Sequence, residues 1–255
     1  MPDMPDAIVL CGGAGTRLRG ITGDAPKSMA SIAGRPFLEL LLRQLRRHGF
    51  QRVTLAVGRQ SDMIGLHFGH RAFGLDLVYS AEPVPLGTGG ALGNAAVLLQ
   101  SDTALVTNGD SYTDVDLSQF VIEHRARRAD LSLVVVPHDG RGDCGVVSVD
   151  RSGKVEWFRE KSYSSGTQYV NAGVYIVPKA LLSLIPPGIE ISLEKELLPQ
   201  WLKRGMHLRA FVSTGECVDI GTPDRYCRAQ RILANAEIET AVSQSNRQQS
   251  NEELS

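Results

Sequence analysis

The chain has 255 residues, of which 42% are hydrophobic and 22% are charged, and its formal net charge at pH 7 is -1. This length and apolar content suffice for one domain with a sizeable core. The near-neutral charge excludes a general attraction to nucleic acid or to membrane surfaces, so we expect neither as a partner. Any anion must therefore be bound by a local arrangement of residues.

The first residues and the cysteines bear on location. Residues 1–6 show no basic region followed by an apolar core, and no apolar run is long enough to span a bilayer. The four cysteines are scattered, without the paired spacing of a zinc site or the density of a disulfide framework. These features predict a cytoplasmic protein.

The first predicted element is a buried strand from Ala7 to Leu10 that ends in a glycine-rich turn. Glycines let the backbone turn sharply and direct amide N–H groups at an anion, and three of them stand within four residues: Gly12, Gly13 and Gly15. Arg17 adds a planar guanidinium and Lys27 a flexible ammonium group. The turn predicts a phosphate-binding loop, although it has neither the Gly-Lys-Ser/Thr ending of a P-loop nor the dinucleotide fingerprint.

Predicted helices and strands alternate along the following chain. The pattern predicts an amphipathic helix over 36–48, strands over 52–57, 75–80 and 103–107, a helix from the glycines at 87–90 to about 100, and a C-terminal helix from 223 to 236. This alternation predicts a Rossmann-like, doubly wound α/β fold with a mixed, mostly parallel sheet. We expect a single domain over residues 1–239, followed by a polar, disordered tail over 240–255.

Two aspartates at predicted strand ends are the candidate metal ligands. Asp110 follows the strand that ends at Thr107, at the carboxyl edge where the phosphate-binding loop should also lie. Asp219 stands in an apolar segment, where a charge is costly unless it is paired or binds a metal. Mg²⁺ favours one or two carboxylates together with phosphate oxygens. Asp114 and Asp116 are alternative ligands, and a less favoured interpretation is that the Asn-Gly-Asp-Ser run is only a turn.

Taken together, the motifs resemble those of the sugar-1-phosphate nucleotidylyltransferases. The family signature is Gly-Gly-x-Gly-Thr-Arg-Leu with Pro-Lys about ten residues later, and residues 12–18 and 26–27 match it. The resemblance extends from Ala7 to about Leu233. It implies a GT-A-like nucleotidyltransferase fold and the transfer of a nucleoside monophosphate from an NTP to a sugar 1-phosphate, with Mg²⁺ as cofactor and pyrophosphate as the second product.

The resemblance also implies roles for individual residues. Arg17 would hold the leaving pyrophosphate, Lys27 would neutralise the α-phosphate region, and Lys161 would hold the sugar phosphate. The implied metal ligands are Asp110 and Asp219. The implied nucleotide-binding residues are Leu10, Gly12, Gly13, Gly15, Thr16, Gly87, Thr88, Asn108 and Gly109. The implied sugar-binding residues are Gly145, Glu160 and Asn171. By their residue types alone, Glu160 and Lys161 could also be a solvated ion pair, and Gly145 a bulge.

Within the family, the segment from Glu82 to Ala91 lacks the glutamine-bearing base loop of the thymidylyl enzymes. That loop, the short chain and the ending Asp219-Ile220-Gly221-Thr222-Pro223 most resemble the heptose 1-phosphate guanylyltransferases. This implies GTP and D-glycero-α-D-manno-heptose 1-phosphate as substrates, and GDP-heptose for a surface glycan as product. The alternatives are a uridylyl- or thymidylyltransferase acting on N-acetylmuramate or hexose 1-phosphate, and a non-catalytic sugar-nucleotide-binding regulator. The sequence leaves open whether the chain forms a homo-oligomer.

Overall fold

The computed structural model describes residues 3–13, 16–58, 61–138, 145–160 and 169–234. The strands are β1 Asp6–Leu10, β2 Ser31–Ile32, β3 Arg35–Pro36, β4 Arg52–Val57, β5 Arg71–Ala72, β6 Leu75–Ala81, β7 Thr103–Asn108, β8 Ser111–Thr113, β9 Leu131–Pro137, β10 Gly145–Val149, β11 Val155–Glu160, β12 Tyr169–Pro178, β13 Leu208–Val212 and β14 Cys217–Asp219. The α-helices are α1 Arg19–Thr22, α2 Phe37–Arg47, α3 Ser61–Phe68, α4 Gly87–Ala96, α5 Leu117–Arg127, α6 Lys179–Leu182, α7 Leu198–Lys203 and α8, described over 223–234. Thr16–Leu18 and Lys27–Met29 are 3₁₀ turns, and Leu193–Leu197 is a π-helical turn.

A ten-stranded sheet runs through the middle of the described chain. Its order is β11-β10-β12-β7-β1-β4-β6-β5, with β9 paired to β12 and β13 paired to β9. The neighbours β7, β1, β4 and β6 are parallel, whereas β5, β11 and β12 run against the other strands. This confirms the predicted mixed, mostly parallel sheet.

Helices cover both faces of this sheet. Because successive strand residues point to opposite faces, Ala7 and Val9 of β1 pack in the core with α2, α3, α5 and α8, while Ile8 and Leu10 pack with α4, α6 and α7. Both cores consist mainly of Leu, Val, Ile and Ala side chains with almost no exposed surface. The doubly wound arrangement is therefore confirmed.

The end of one helix, α4, differs from the sequence-based prediction. α4 ends at Ala96 rather than near residue 100, because the next amides bond three residues back and the Asp6 carboxylate accepts the Gln100 N–H at 2.5 Å. The predicted domain end at 239 and the polar tail over 240–255 lie outside the described residues. None of the helices in the described ranges is long and apolar enough to cross a membrane.

Candidate active site

The segments that follow β1 and β7 lie side by side at the carboxyl edge of the sheet. Leu10 pairs with Asn108 at the ends of the two strands, and the Gly109 N–H donates to the Leu10 carbonyl at 3.0 Å. A Cβ added to Gly109 would lie 2.6 Å from that carbonyl oxygen. Only glycine allows this approach, so the position predicted for nucleotide binding also has a structural requirement.

Lys27 joins these two segments through an ion pair. It lies on the second 3₁₀ turn, and its Nζ donates to Asp110 Oδ2 at 2.6 Å. The side chains are 17% and 36% exposed, so the pair is partly open to a ligand. Ser111 places its hydroxyl 3.3 Å from the other carboxylate oxygen of Asp110. Lys27, one of the two cations predicted to bind phosphate, thus forms an ion pair with a predicted metal ligand.

Asp219 enters the same cluster from the C-terminal part of the chain. β14 pairs antiparallel with β8 so that Asp219 stands opposite Ser111, and the Ile220 N–H donates to the Asp110 carbonyl at 3.0 Å. Asp219 Oδ1 accepts the Gly221 N–H at 2.9 Å and Arg225 Nη1 at 3.2 Å. A Cβ on Gly221 would lie 2.8 Å from Asp219 Oδ1 and 3.7 Å from Lys27 Nζ. Lys27 therefore lies beside both predicted metal ligands.

The carboxylates at this edge suit Mg²⁺ that takes its other ligands from the substrate, and they are too few for a metal held by protein side chains alone. The described ranges contain no group of three or more His, Cys, Asp or Glu side chains placed to hold a metal. Mg²⁺ is commonly held by one or two carboxylates plus substrate phosphates, and Asp110 with Asp219 provides such a pair. The alternative ligands do not join them, since Asp116 caps α5 by accepting the Gln119 N–H at 2.9 Å, and Asp114 is exposed beyond the other end of β8.

The loop after β1 brings a second cation to the same side. Arg17 is exposed on the first 3₁₀ turn and forms no hydrogen bond or ion pair with any described residue. Gly13 has φ +126°, a conformation that favours glycine. The backbone of Thr16 lies in the turn, and Gly15 lies outside the described residues. Burial raises the pKa of the Cys11 thiol to about 12, which excludes it as a nucleophile at neutral pH.

Two buried side-chain oxygens at this edge have no hydrogen-bond partner in the described chain, one from the predicted residue Asn108 and one from Glu82, which the sequence did not indicate. Glu82 is 7% exposed; its Oε2 accepts the Leu86 N–H at 3.1 Å, and its Oε1 has no partner in the described chain. A Cβ on Gly12 would lie 3.3 Å from that Oε1, and burial raises the pKa of Glu82. Asn108 Oδ1 is a second buried oxygen without a described partner. Buried oxygens without a partner are rare in folded proteins, and both of these could accept hydrogen bonds from a bound ligand.

The glycines of the predicted base loop pack closely against the backbone at Ile191. Gly87 begins α4 with φ +69°, and a Cβ there would lie 2.6 Å from the Ile191 carbonyl oxygen. That carbonyl accepts two of the first amides of the helix, from Gly89 at 2.9 Å and Gly90 at 3.2 Å. The glycines therefore permit close packing of α4, and nucleotide binding by Gly87 and Thr88 stays a prediction.

The predicted sugar-binding residues gather at one end of β10, β11 and β12. Gly145 pairs with Glu160, and Val146 pairs with Val170, which puts Gly145 next to Asn171 in the sheet. Lys161 lies outside the described residues, and of Glu160 only the backbone is described. A Cβ on Gly173 would lie 2.6 Å from Asn108 Nδ2, so this end of β12 adjoins the end of β7. The structure thus brings together the segments predicted to bind the nucleotide and the sugar.

Comparison with known proteins identifies the family. The chain matches the Nucleotidyl transferase family over residues 6–236. It belongs to this nucleotidyl transferase family. The sequence resemblance is thereby confirmed at the level of family and fold.

Among relatives of this nucleotidyl transferase, mannose-1-phosphate guanylyltransferase of Mycobacterium tuberculosis is 38% identical over 230 residues, covering 89% of this chain and 64% of the relative. D-glycero-alpha-D-manno-heptose 1-phosphate guanylyltransferase of Aneurinibacillus thermoaerophilus is 36% identical over 229 residues, covering 89% of this chain and 98% of the relative. HddC from Yersinia pseudotuberculosis, solved in complex with GMP-PN, superposes with a TM-score of 0.78 at 32% identity, covering 90% of this chain and 100% of that one.

Proposed function

We propose that this nucleotidyl transferase transfers GMP from GTP to a sugar 1-phosphate, with D-glycero-α-D-manno-heptose 1-phosphate as the preferred acceptor. The observation that carries the proposal is the cluster of Lys27, Asp110 and Asp219 at the carboxyl edge of the sheet, beside the loop after β1. The names of the relatives support guanylyl transfer to heptose 1-phosphate or mannose 1-phosphate. The choice of heptose rests on the two heptose enzymes, 98% and 96% of whose length this chain covers, against 64% of the mannose enzyme. The product, GDP-heptose, would serve the cytoplasmic supply of activated sugar for a surface glycan.

The chemistry requires two anions to meet. An oxygen of the sugar phosphate attacks the α-phosphorus of GTP, the bond to the bridging oxygen breaks, and pyrophosphate leaves with that electron pair. Such transfer depends mainly on positioning and charge stabilisation, with no covalent enzyme intermediate. Lys27 would neutralise the α-phosphate and Arg17 the leaving pyrophosphate, while Lys161 would hold the sugar phosphate.

Asp110 and Asp219 would hold Mg²⁺, which when bound would supply positive charge at the nucleotide phosphates. The chain fixes both acids beforehand. Lys27 holds one oxygen of Asp110, and the Gly221 amide and Arg225 hold one oxygen of Asp219. Their ligating oxygens therefore need little rearrangement when the substrates bind.

Glu82 favours guanine over the pyrimidine bases. Guanine presents two neighbouring donors on one edge, N1–H and the N2 amino group, and a carboxylate can accept both. Uracil and thymine present a single N–H flanked by two carbonyl oxygens, which a carboxylate would repel. Glu82 Oε1 lies beside Gly12 and has no described donor, so a base bound over this loop would provide one.

Glu82→Gln should lower the selectivity for GTP over UTP, measured as the ratio of their kcat/KM values, by on the order of 10- to 100-fold. The amide keeps the size of the side chain but replaces one acceptor with a donor. The control is Glu123→Gln on α5, which should leave the ratio unchanged. An unaltered ratio in Glu82→Gln would remove Glu82 from base recognition.

The proposed function is tested by pyrophosphate release with Mg²⁺ across GTP, UTP, dTTP, CTP and ATP, each paired with heptose, mannose, glucose and N-acetylmuramate 1-phosphates. We expect the highest kcat/KM with GTP and heptose 1-phosphate. A higher value with GTP and mannose 1-phosphate would change the sugar alone, and a pyrimidine nucleotide would overturn the guanylyl assignment. Silence across the grid would overturn catalysis by this chain and favour a regulatory protein.

A further inference from the structure

A carboxylate on the π-helical turn connects the two substrate segments. Glu194 Oε2 accepts the Thr88 hydroxyl at 2.6 Å, and Glu194 Oε1 accepts the Tyr175 hydroxyl at 3.2 Å. Thr88 lies in the predicted base loop at the start of α4, whereas Tyr175 is a fully buried side chain of β12. Single π-helical turns are rare and are frequently found at functional sites. One side chain therefore bonds both to the predicted base loop and to the strand that carries Asn171, a predicted sugar-binding residue.

The bonds on the sugar side have a fixed direction. An ionised carboxylate can only accept, so the Tyr175 hydroxyl must donate to Glu194 and can accept elsewhere. It accepts Asn171 Nδ2 at 2.6 Å, and Asn171 Oδ1 in turn accepts the Gly173 N–H at 3.2 Å. The Tyr175 hydroxyl and the Gly173 N–H together set the orientation of the Asn171 amide, and Glu194 keeps the hydroxyl turned so that it can accept from Asn171.

The same argument applies on the nucleotide side. The Thr88 hydroxyl donates to Glu194 and accepts the Leu193 N–H at 2.8 Å. Its proton is therefore committed, and the hydroxyl can face a nucleotide only as an acceptor. Ser192 also donates its hydroxyl to Glu194 Oε2, at 3.2 Å, which helps to hold the carboxylate in place.

We propose that Glu194 is a positioning residue that fixes the hydrogen-bond direction of Thr88 and of Asn171 together, and so prepares the nucleotide and sugar subsites at the same time. The inference rests on the proposed function, because it takes Thr88 and Asn171 as contacts of the two substrates. Glu194 acts through these two residues and not on the reacting atoms.

The test compares KM values for both substrates in Glu194→Gln and wild type. A glutamine offers a donor where the carboxylate offered an acceptor, so one of the two hydroxyls must reverse its bond. Since the amide nitrogen can take the place of either oxygen, we expect KM for GTP, KM for the sugar 1-phosphate, or both to rise about tenfold, with a smaller change in kcat. Tyr175→Phe removes only the hydrogen bond between Glu194 and the strand that carries Asn171, and it should raise only the KM for the sugar 1-phosphate. Thr88→Val removes only the hydrogen bond between Glu194 and the predicted base loop, and it should raise only the KM for GTP.

The matched control is Glu196→Gln, two residues further along the same turn. Glu196 is exposed and its Oε1 accepts the Ser192 N–H at 2.9 Å. This variant therefore perturbs the turn without breaking the hydrogen bonds from Glu194 to Thr88 and Tyr175. Both KM values should stay within about twofold of wild type. Equal KM increases in Glu194→Gln and Glu196→Gln, or unchanged KM values in Glu194→Gln, would reduce Glu194 to a structural residue. An inactive wild type would overturn the proposed function itself, and this inference with it.

Discussion

Asp110→Asn is expected to lower kcat/KM for guanylyl transfer by on the order of 100- to 1000-fold, with little change in the melting temperature. Asparagine keeps the size of the side chain and can still accept from Lys27, whose Nζ now lies 2.6 Å from Asp110 Oδ2. The charge that would balance Mg²⁺ and orient Lys27 is lost, however, and the effect should appear in kcat. Pyrophosphate release at saturating GTP and sugar 1-phosphate measures it, and thermal unfolding verifies the fold.

Asp114→Asn is the control for this experiment. Asp114 stands four residues further along the chain, is exposed, and lies away from Lys27 and Asp219. Its replacement should leave kcat/KM within about twofold of wild type. Asp110→Asn with near-normal turnover, or Asp114→Asn with a large loss, would show that the wrong aspartate has been placed at the phosphates.

Gly109→Ala is expected to lower the free energy of unfolding by about 1–3 kcal/mol and to abolish most of the activity. The added Cβ would lie 2.6 Å from the Leu10 carbonyl oxygen and 3.2 Å from Cys11 Cα. Backbone atoms cannot swing aside like a long side chain, so the segments after β1 and β7 must separate. Urea unfolding measures the stability, and a separation would also move Asp110 away from the loop that holds Arg17.

Gly65→Ala is the matched comparison, because the same substitution should raise the free energy of unfolding there instead of lowering it. Gly65 lies within α3, has an ordinary helical backbone, and a Cβ there would meet no atom within 4 Å. Alanine restricts the unfolded chain and is the better helix former, so stability should rise by about 0.5–1 kcal/mol. If both variants behave alike, the close contact at Gly109 is not the cause of the loss.

The central strands and the first helix could be predicted because their signals are local. β1 and β7 are continuous apolar runs bounded by polar residues, and α2 has its leucines on one face, so these elements were found to within one residue. Asp110 could be found because it directly follows such a run. Asp219 could be found because it is a charge in an apolar segment, and the pairing of β14 with β8 brings it next to the segment that carries Asp110.

Glu82 and Glu194 could not be recognised from the sequence. Glu194 stands in the run Glu194-Lys195-Glu196, which reads as a solvated helix end, and its partner Tyr175 reads as an ordinary core residue of a strand. The bonds that join Glu194 to Thr88 and Tyr175 span 106 and 19 residues, so no local pattern contains them. Glu82 looks like one more exposed acid before a proline until its burial beside Gly12 is known.

The hairpin of β10 and β11 carries two of the predicted sugar-binding residues, Gly145 and Glu160, and would therefore separate the choice of sugar from the transfer chemistry. It joins β12 through two residue pairs, Val146 with Val170 and Val147 with Tyr169. Asp110 and Lys27, by contrast, lie on segments outside this hairpin, and Asp219 is the last residue of β14. Val147, Val155 and Phe158 of the hairpin belong to the core, but its exposed positions can be exchanged without changing the register of β1 against β7. A common phosphoryl-transfer core could in this way acquire new acceptor specificities over evolution, and the hairpin is the segment to exchange in engineering a different sugar nucleotide.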